Sequence, residues 1–245
     1  MLVEDDVDLA LYVSSLLGKY YDVRVKYSAD DAANDLKFNS PDLIITDVML
    51  PGEIDGLSLC RKIKGDIETC HIPVMILSAK STIDDQIIGI ETGADSYVVK
   101  PVVPAYLLTL IKTLLANREK LRTRIQETTD VSSISERELT PQDRAFLESL
   151  YDLMEKQLHA SELNVDMVAE SLKISRAKLY YKFKGLINET PNSFFKKYKL
   201  NRAAELIQSG KYTMSEVADM TGFSSLSYFS VSFKKQFGVK PSDYS

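Results

Sequence analysis

The sequence predicts an α/β domain built on a five-stranded parallel, doubly wound sheet, followed by an all-α domain that contains two helix-turn-helix units. Three observations carry this. Over the first half, apolar strand-like runs alternate with amphipathic helical runs. The second half shows helical runs without strand alternation, and residues near 168–191 reappear in kind 49 or 50 positions later. The formal charge of -5 divides along the same line: residues 1–118 hold 11 Lys/Arg against 18 Asp/Glu, whereas residues 171–240 hold 13 against 4. An acidic half joined to a basic block points to nucleic acid at one end.

In chain order, residues 1–3, 21–25, 43–47, 73–78 and 96–99 read as strands, because each is a short apolar run bounded by polar or turn residues. Residues 6–17, 29–38, 57–64 and 84–90, and a long run from 104, read as the helices between and after them. No apolar run reaches membrane-span length, and Met1 leads directly into Glu4, Asp5 and Asp6 rather than into a signal sequence. Cys60 and Cys70 lack a CxxC spacing, and His71 and His159 are the only histidines. A cytoplasmic location, no zinc site and no histidine-based catalysis are expected.

Strand C-termini of a parallel sheet share one edge, and that edge is where such sheets bind ligands. The residues delivered there are Glu4 and Asp5, Asp47 at the end of LIITD, Ser78, and Lys100 before Pro101. Crowded carboxylates repel one another and are tolerated around a hard cation such as Mg²⁺. An aspartate attacking a phosphoryl group needs that cation, a hydroxyl and an ammonium, which Asp5, Ser78 and Lys100 supply. The pieces VEDD at 3–6, TDVMLPGEIDG at 46–56, ILSAK at 76–80 and SYVVKP at 96–101 resemble the flavodoxin-like receiver domain of bacterial response regulators over residues 1–118. The resemblance implies phosphorylation of Asp47 by a histidine kinase, separate or fused. It implies Mg²⁺ on Glu4, Asp5, Asp47 and the carbonyl of Met49, phosphoryl contacts from Ser78 and Lys100, and Tyr97 as the aromatic switch. Receiver first strands usually run longer before the acidic pair than Met1 to Val3, so the chain is expected to be trimmed or cut from a longer polypeptide.

Leu107, Ile111, Leu114, Leu121 and Ile125 recur at four- and three-residue spacings, with Arg118 among them, in a helix unbroken to about residue 127. This predicts a coiled-coil-like seam for a homodimer that phosphorylation favours; the alternative is a helix lying on its own domain. Residues 119–140 are then a helical extension and linker, with 128–135 polar and aperiodic, as in a flexible joint. Thr140, Pro141 and Asp143 open a new helix.

In residues 141–245, Val168, Ala169 and Glu170 stand 49 residues before Val217, Ala218 and Asp219, and Leu179, Phe183, Lys184 and Pro191 stand 50 before Phe229, Phe233, Lys234 and Pro241. The one-residue step is placed near Gly222, and Thr213 with Glu216 forms a capping box. Residues 191–209 read as one connecting helix about 28 Å long, against about 34 Å between successive major-groove faces. Arg176, Lys178, Lys182, Lys184, Lys196, Lys197, Lys199, Arg202, Lys234 and Lys235 fall on these elements. Lys196, Lys197 and Lys199 are expected at phosphates or on a solvated face.

VADMTGFSSLSYFSVSFKKQFGVKPSDY at 217–244, with VAESLKISRAKLYYKFK at 168–184, resembles the AraC/XylS type of DNA-binding domain. The resemblance implies seven helices, with recognition helices over 175–185 and 225–237. Base-facing positions would be Arg176, Ala177, Tyr180 and Tyr181 in the first, and Leu226, Ser227, Ser230 and Val231 in the second, with Lys184, Ser225 and Lys234 beside them on the DNA. Val231 stands where the family often has Arg, which predicts weaker direct readout there. Either tyrosine of the pair Tyr180 and Tyr181 could instead pack between helices; Leu179, Phe183, Phe229 and Phe233 are assigned to the core.

A phosphorylation-controlled, non-enzymatic transcription factor follows, with double-stranded DNA as partner. Such modules also end hybrid sensors, in which a histidine kinase and a DNA-binding part share one membrane-anchored polypeptide. Two rivals remain. A phosphatase of the haloacid dehalogenase type would use Asp47 as nucleophile, but its DxD pattern needs an acid where Met49 stands. A phosphorylation-gated protein-binding module is disfavoured by the basic block and the duplicated helical unit.

Overall fold

Strand β3 (Ile44–Asp47) is buried at every residue, which its unbroken apolar run requires of a central strand covered on both faces. In the computed structural model, which describes residues 1–80, 82–135, 138–159 and 165–244, it pairs in parallel with β1 (Leu2–Val3) and β4 (Val74–Ser78). Strands β2 (Val25–Lys26) and β5 (Ser96–Val99) complete a parallel sheet of order β2-β1-β3-β4-β5. One face is covered by Val13 and Leu17 of helix α1 (Val7–Leu17) and by Leu107 and Ile111 of α5 (Pro104–Glu127). The other is covered by Ala29 and Ala32 of α2 (Ala29–Asp35) and by Leu59, Cys60 and Ile63 of α3 (Gly56–Gly65). Helix α4 (Ile83–Glu91) completes the doubly wound arrangement.

Side-chain caps start these helices where the sequence offers them. Asp6, Ser28, Asp55 and Thr82 each accept a backbone N–H from the first turn. The second strand was expected over 21–25 but occupies only Val25 and Lys26, the two residues in register with Leu2 and Val3 of β1. Tyr21 and Val23 still pack on the core, which gave them a strand-like pattern outside the ladder.

The chain divides into two compact units, Met1–Lys120 and Leu121–Ser245. Two expectations for the region between the domains are corrected. Leu107 and Ile111 are buried in the first unit, with Leu114 half-buried beside them, while Leu121 and Ile125 are buried in the second. The four- and three-residue spacing therefore serves two intramolecular cores, and the expected dimer seam is not an open surface. Residues 128–135 are likewise no free joint. Val131, Ile134 and Leu139 are buried, and the Asp130 carboxylate accepts the Ser132 N–H at 2.7 Å in a local turn.

Beyond this lie helices α6 (Pro141–Lys156), α7 (Val165–Ser171), α8 (Arg176–Lys182), α9 (Pro191–Gln208), α10 (Met214–Met220) and α11 (Leu226–Phe237). Six α-helices, not seven, are present among the described residues from 141 onward, with a short 3₁₀ turn at Pro241–Asp243. The expected caps Thr140 and Thr213 are formed, the latter as a reciprocal capping box with Glu216. The connector α9 has 18 residues, one fewer than expected, because Ser209 is its C-cap.

Candidate functional site

The duplication is visible in hydrogen bonds. After α7, the N–H groups of Leu172, Lys173 and Ile174 donate to the carbonyls of Val168, Glu170 and Ala169; after α10, those of Thr221, Gly222 and Phe223 donate to Val217, Asp219 and Ala218. Every pair is offset by 49, so both turns have one geometry. Lys173 holds φ 55° where Gly222 holds 68°. The extra residue of the second unit is Ser224, since Ser175 and Ser225 both cap the following helix.

These turns set α8 and α11 so that Leu179, Phe183, Phe229 and Phe233 are buried as expected. Arg176, Ala177, Tyr180, Tyr181 and Lys184 are exposed on one helix, and Ser225, Leu226, Ser227, Val231 and Lys234 on or beside the other, with Ser230 half-buried. Both tyrosines face outward. Arg176 meets Asp166 at 3.3 Å and stands 5.9 Å over the Tyr180 ring. Tyr228, which sequence reasoning passed over, is exposed on α11, and Lys196 both donates to its hydroxyl at 3.1 Å and stands 4.7 Å over its ring. An aromatic and a cation 32 residues apart give no local signal.

Not every basic residue belongs to this face. Lys182 is buried against Asp143 at 2.5 Å, Lys197 is paired with Glu189, Arg202 bridges Glu155 and Glu205, and Lys199 is half-buried with its ammonium pKa lowered by desolvation. The helix expected to be the first recognition helix also departs from expectation. It is α-helical only to Lys182 and continues as a wider π turn, Phe183–Ile187, closed by the Asn188 N–H on the Phe183 carbonyl at 2.8 Å.

In the first unit, the sheet order places a topological switch between β1 and β3, and the predicted residues meet there. Glu4, Asp5 and Asp47 each bring a carboxylate oxygen within 4.8 Å of the others. Lys100 lies between two of them, 2.6 Å from Asp47 and 2.8 Å from Glu4. Burial pushes the Glu4 carboxyl above its ordinary range, and the hydrogen bond from Lys100 only partly offsets this. For Lys100 burial acts downward, but its bonds to Asp47 and Glu4 outweigh it and hold the ammonium above its ordinary value. The Met49 N–H donates to Asp47 Oδ1 at 3.3 Å, and Ser78, fully buried, accepts the Lys80 N–H at 3.0 Å. The Tyr97 hydroxyl donates to the Lys80 carbonyl at 3.1 Å, and its ring fills the space beside Gly89, where a Cβ would fall 2.4 Å from Cδ2.

The loop after Asp47 closes on itself at Gly56, whose N–H donates to the Val48 carbonyl at 3.0 Å. A Cβ on Gly56 would lie 1.7 Å from the Asp47 carbonyl oxygen, so no side chain fits without moving the backbone that holds the carboxylate. Gly56→Ala is expected to destabilise the first unit by about 1–3 kcal/mol, in the range of other overpacked interiors, and to lower acyl-phosphate labelling of Asp47. Chemical denaturation and labelling of the same variant check both.

Comparison with known proteins matches residues 1–112 to the family described as response regulator receiver domain and residues 168–245 to a helix-turn-helix domain. The chain is a response-regulator receiver domain followed by an AraC-type helix-turn-helix domain. The receiver and its partner together resemble "Histidine kinase P4" of Formosa agariphila, 34% identical over all of this chain and 18% of that protein. The "Transcriptional regulatory protein AfsQ1" of Streptomyces coelicolor is 38% identical over 54% of this chain and 55% of its own length. The chain thus spans under a fifth of one relative and about half of the other. A crystallised receiver domain of a signal transduction histidine kinase from Syntrophus aciditrophicus is 34% identical over 47% of this chain and 87% of its own, with a TM-score of 0.45. Among the described residues, no helix is long and apolar enough to cross a membrane.

Proposed function

We propose that this chain is a phosphorylation-dependent, sequence-specific DNA-binding regulator whose phosphoacceptor is Asp47. The observation that carries the reading is the cluster at the sheet edge, where Lys100 stands 2.6 Å from Asp47 beside Glu4 and Asp5. The Asp47 oxygen forms a bond to phosphorus as the bond to the donor breaks, whether that donor is a kinase phosphohistidine or a small acyl phosphate. Lys100 is placed to hold one phosphoryl oxygen, with Ser78 and Tyr97 responding next to it. The donor set fits Mg²⁺, being three hard carboxylates in one site, with the Met49 carbonyl as a further ligand. When bound, the ion neutralises charge on the phosphoryl oxygens.

The output is double-stranded DNA, read by α8 and α11 in successive major grooves, which places the segment in the cytoplasm. A full-length match inside a much longer kinase-named relative favours a second setting, in which this chain is the output segment of a hybrid sensor that supplies its own histidine kinase. Footprinting after binding-site selection tests the DNA reading. Two protected patches one helical turn apart are expected, with sequence information concentrated under α8, because Val231 offers α11 no strong hydrogen bond to a base. Arg176→Ala should relax preference at one position by roughly 10- to 100-fold, whereas Lys196→Ala should weaken all sequences alike and flatten the salt dependence. A single protected patch, or information mostly under α11, contradicts this.

A further inference from the structure

The first recognition helix is held at its far end by side chains that no motif predicts. The π turn Phe183–Ile187 leads into Asn188 in the left-handed region at φ 60°, so the last carbonyls of the turn need donors from elsewhere. Helix α5 supplies them from its last two turns. Arg122 donates from Nε and Nη2 to the Gly185 carbonyl at 3.3 and 3.0 Å, and Gln126 donates from Nε2 to the Ile187 carbonyl at 2.7 Å. Four residues apart on a helix, the two side chains share one face and reach successive parts of the same turn. That face is itself fixed, because Leu121 and Ile125 are buried beside it and the Tyr151 hydroxyl donates to the Ile125 carbonyl at 2.9 Å.

We propose that Arg122 and Gln126 are positioning residues for DNA reading, setting the end of α8 so that Arg176, Tyr180, Tyr181 and Lys184 meet one groove together. This rests on the reading of α8 as a recognition helix. Three properties distinguish the arrangement from ordinary packing. The held turn is of a rare, widened kind that recurs at functional positions. The donors are a guanidinium and an amide aimed at backbone carbonyls, so they fix the path of the chain rather than fill volume. Finally, the equivalent end of α11 has the same kind of left-handed cap, Gly238 at φ 79° with its N–H on the Lys234 carbonyl at 2.9 Å, so the cap alone does not account for the added donors at the end of α8. The clamp falls on the helix expected to carry most of the sequence information.

The test uses the phosphodonor-treated full chain and duplexes substituted singly under each recognition helix, with Kd read by fluorescence anisotropy. Arg122→Ala is expected to reduce discrimination under α8 by about tenfold, the scale of one charge-assisted hydrogen bond, and to leave discrimination under α11 unchanged. Amide exchange of residues 183–188 should quicken in the same variant. Arg122→Lys, which keeps one donor, should recover part of the loss, and Gln126→Ala should repeat the pattern more weakly. Equal loss under both helices in Arg122→Ala and Gln126→Ala, without recovery by Arg122→Lys, overturns the proposal, as does unchanged discrimination. If Arg176→Ala changes discrimination and Arg122→Ala does not, the positioning role alone is wrong. If Arg176→Ala changes nothing, the reading of α8 is wrong as well.

Discussion

Asp47→Asn is expected to reduce phosphoryl labelling by acetyl phosphate from near one group per chain to background. The substitution keeps the shape of the side chain of a residue that is 8% exposed at the end of β3 and removes only its nucleophilic oxygen. Lys100 retains Glu4 at 2.8 Å, so the variant should fold and the loss should be chemical. Asp5→Asn should weaken Mg²⁺ binding and raise the Mg²⁺ needed for labelling, because Asp5 is exposed at the mouth of the cluster and its amide would be a poorer ligand. Full labelling of Asp47→Asn, detected by intact mass, would mean that another residue is the acceptor.

The largest effect on stability is expected from Lys182→Met. Lys182 and Asp143 are 2% and 1% exposed at their side chains, and the ammonium also stands 5.7 Å over the Phe146 ring. Removing the cation takes the Lys182 ammonium from a carboxylate deep in the C-terminal unit, at an expected cost of about 3–5 kcal/mol. Lys182→Met with Asp143→Leu should recover most of that, since two apolar side chains can replace a buried pair. Chemical denaturation followed by helical circular dichroism measures both variants. A single variant within 1 kcal/mol of the parent, roughly the worth of an exposed pair, would show that the site is wetter than its geometry indicates.

That pair also marks where the sequence stops being readable. Asp47, Lys100 and the capping box at Thr213 were legible because each is tied to a local pattern: an apolar strand ending in an acid, a Lys-Pro after a strand, a Thr three residues before a Glu. Lys182 lies in a basic run and looks like its neighbours; its 39-residue partnership with Asp143 holds it in the interior, and no local pattern shows that. The stretch 128–135 was misread for a related reason. Val131 and Ile134 are buried singly, at no helical or strand period, and a turn held by Asp130 looks in sequence like a linker. The seam from Leu107 to Ile125 had the right period but the wrong partner, since spacing alone does not say whether the covering surface belongs to the same chain.

Helix α5 ends within the second unit, and this bears on how the protein can be taken apart. A fragment begun at residue 141, where the sequence places the boundary, would lack Leu121, Ile125, Val131, Ile134 and Leu139, all of which are buried. It would also lack the donors to Gly185 and Ile187, and so would carry open apolar hollows and an unsupported turn after α8. A fragment of the second unit that folds by itself is therefore expected to need residues from Leu121 onward, well ahead of the residue-168 boundary of the helix-turn-helix match. Proteases with targets between residues 128 and 135 should spare the folded chain, however loop-like that stretch reads.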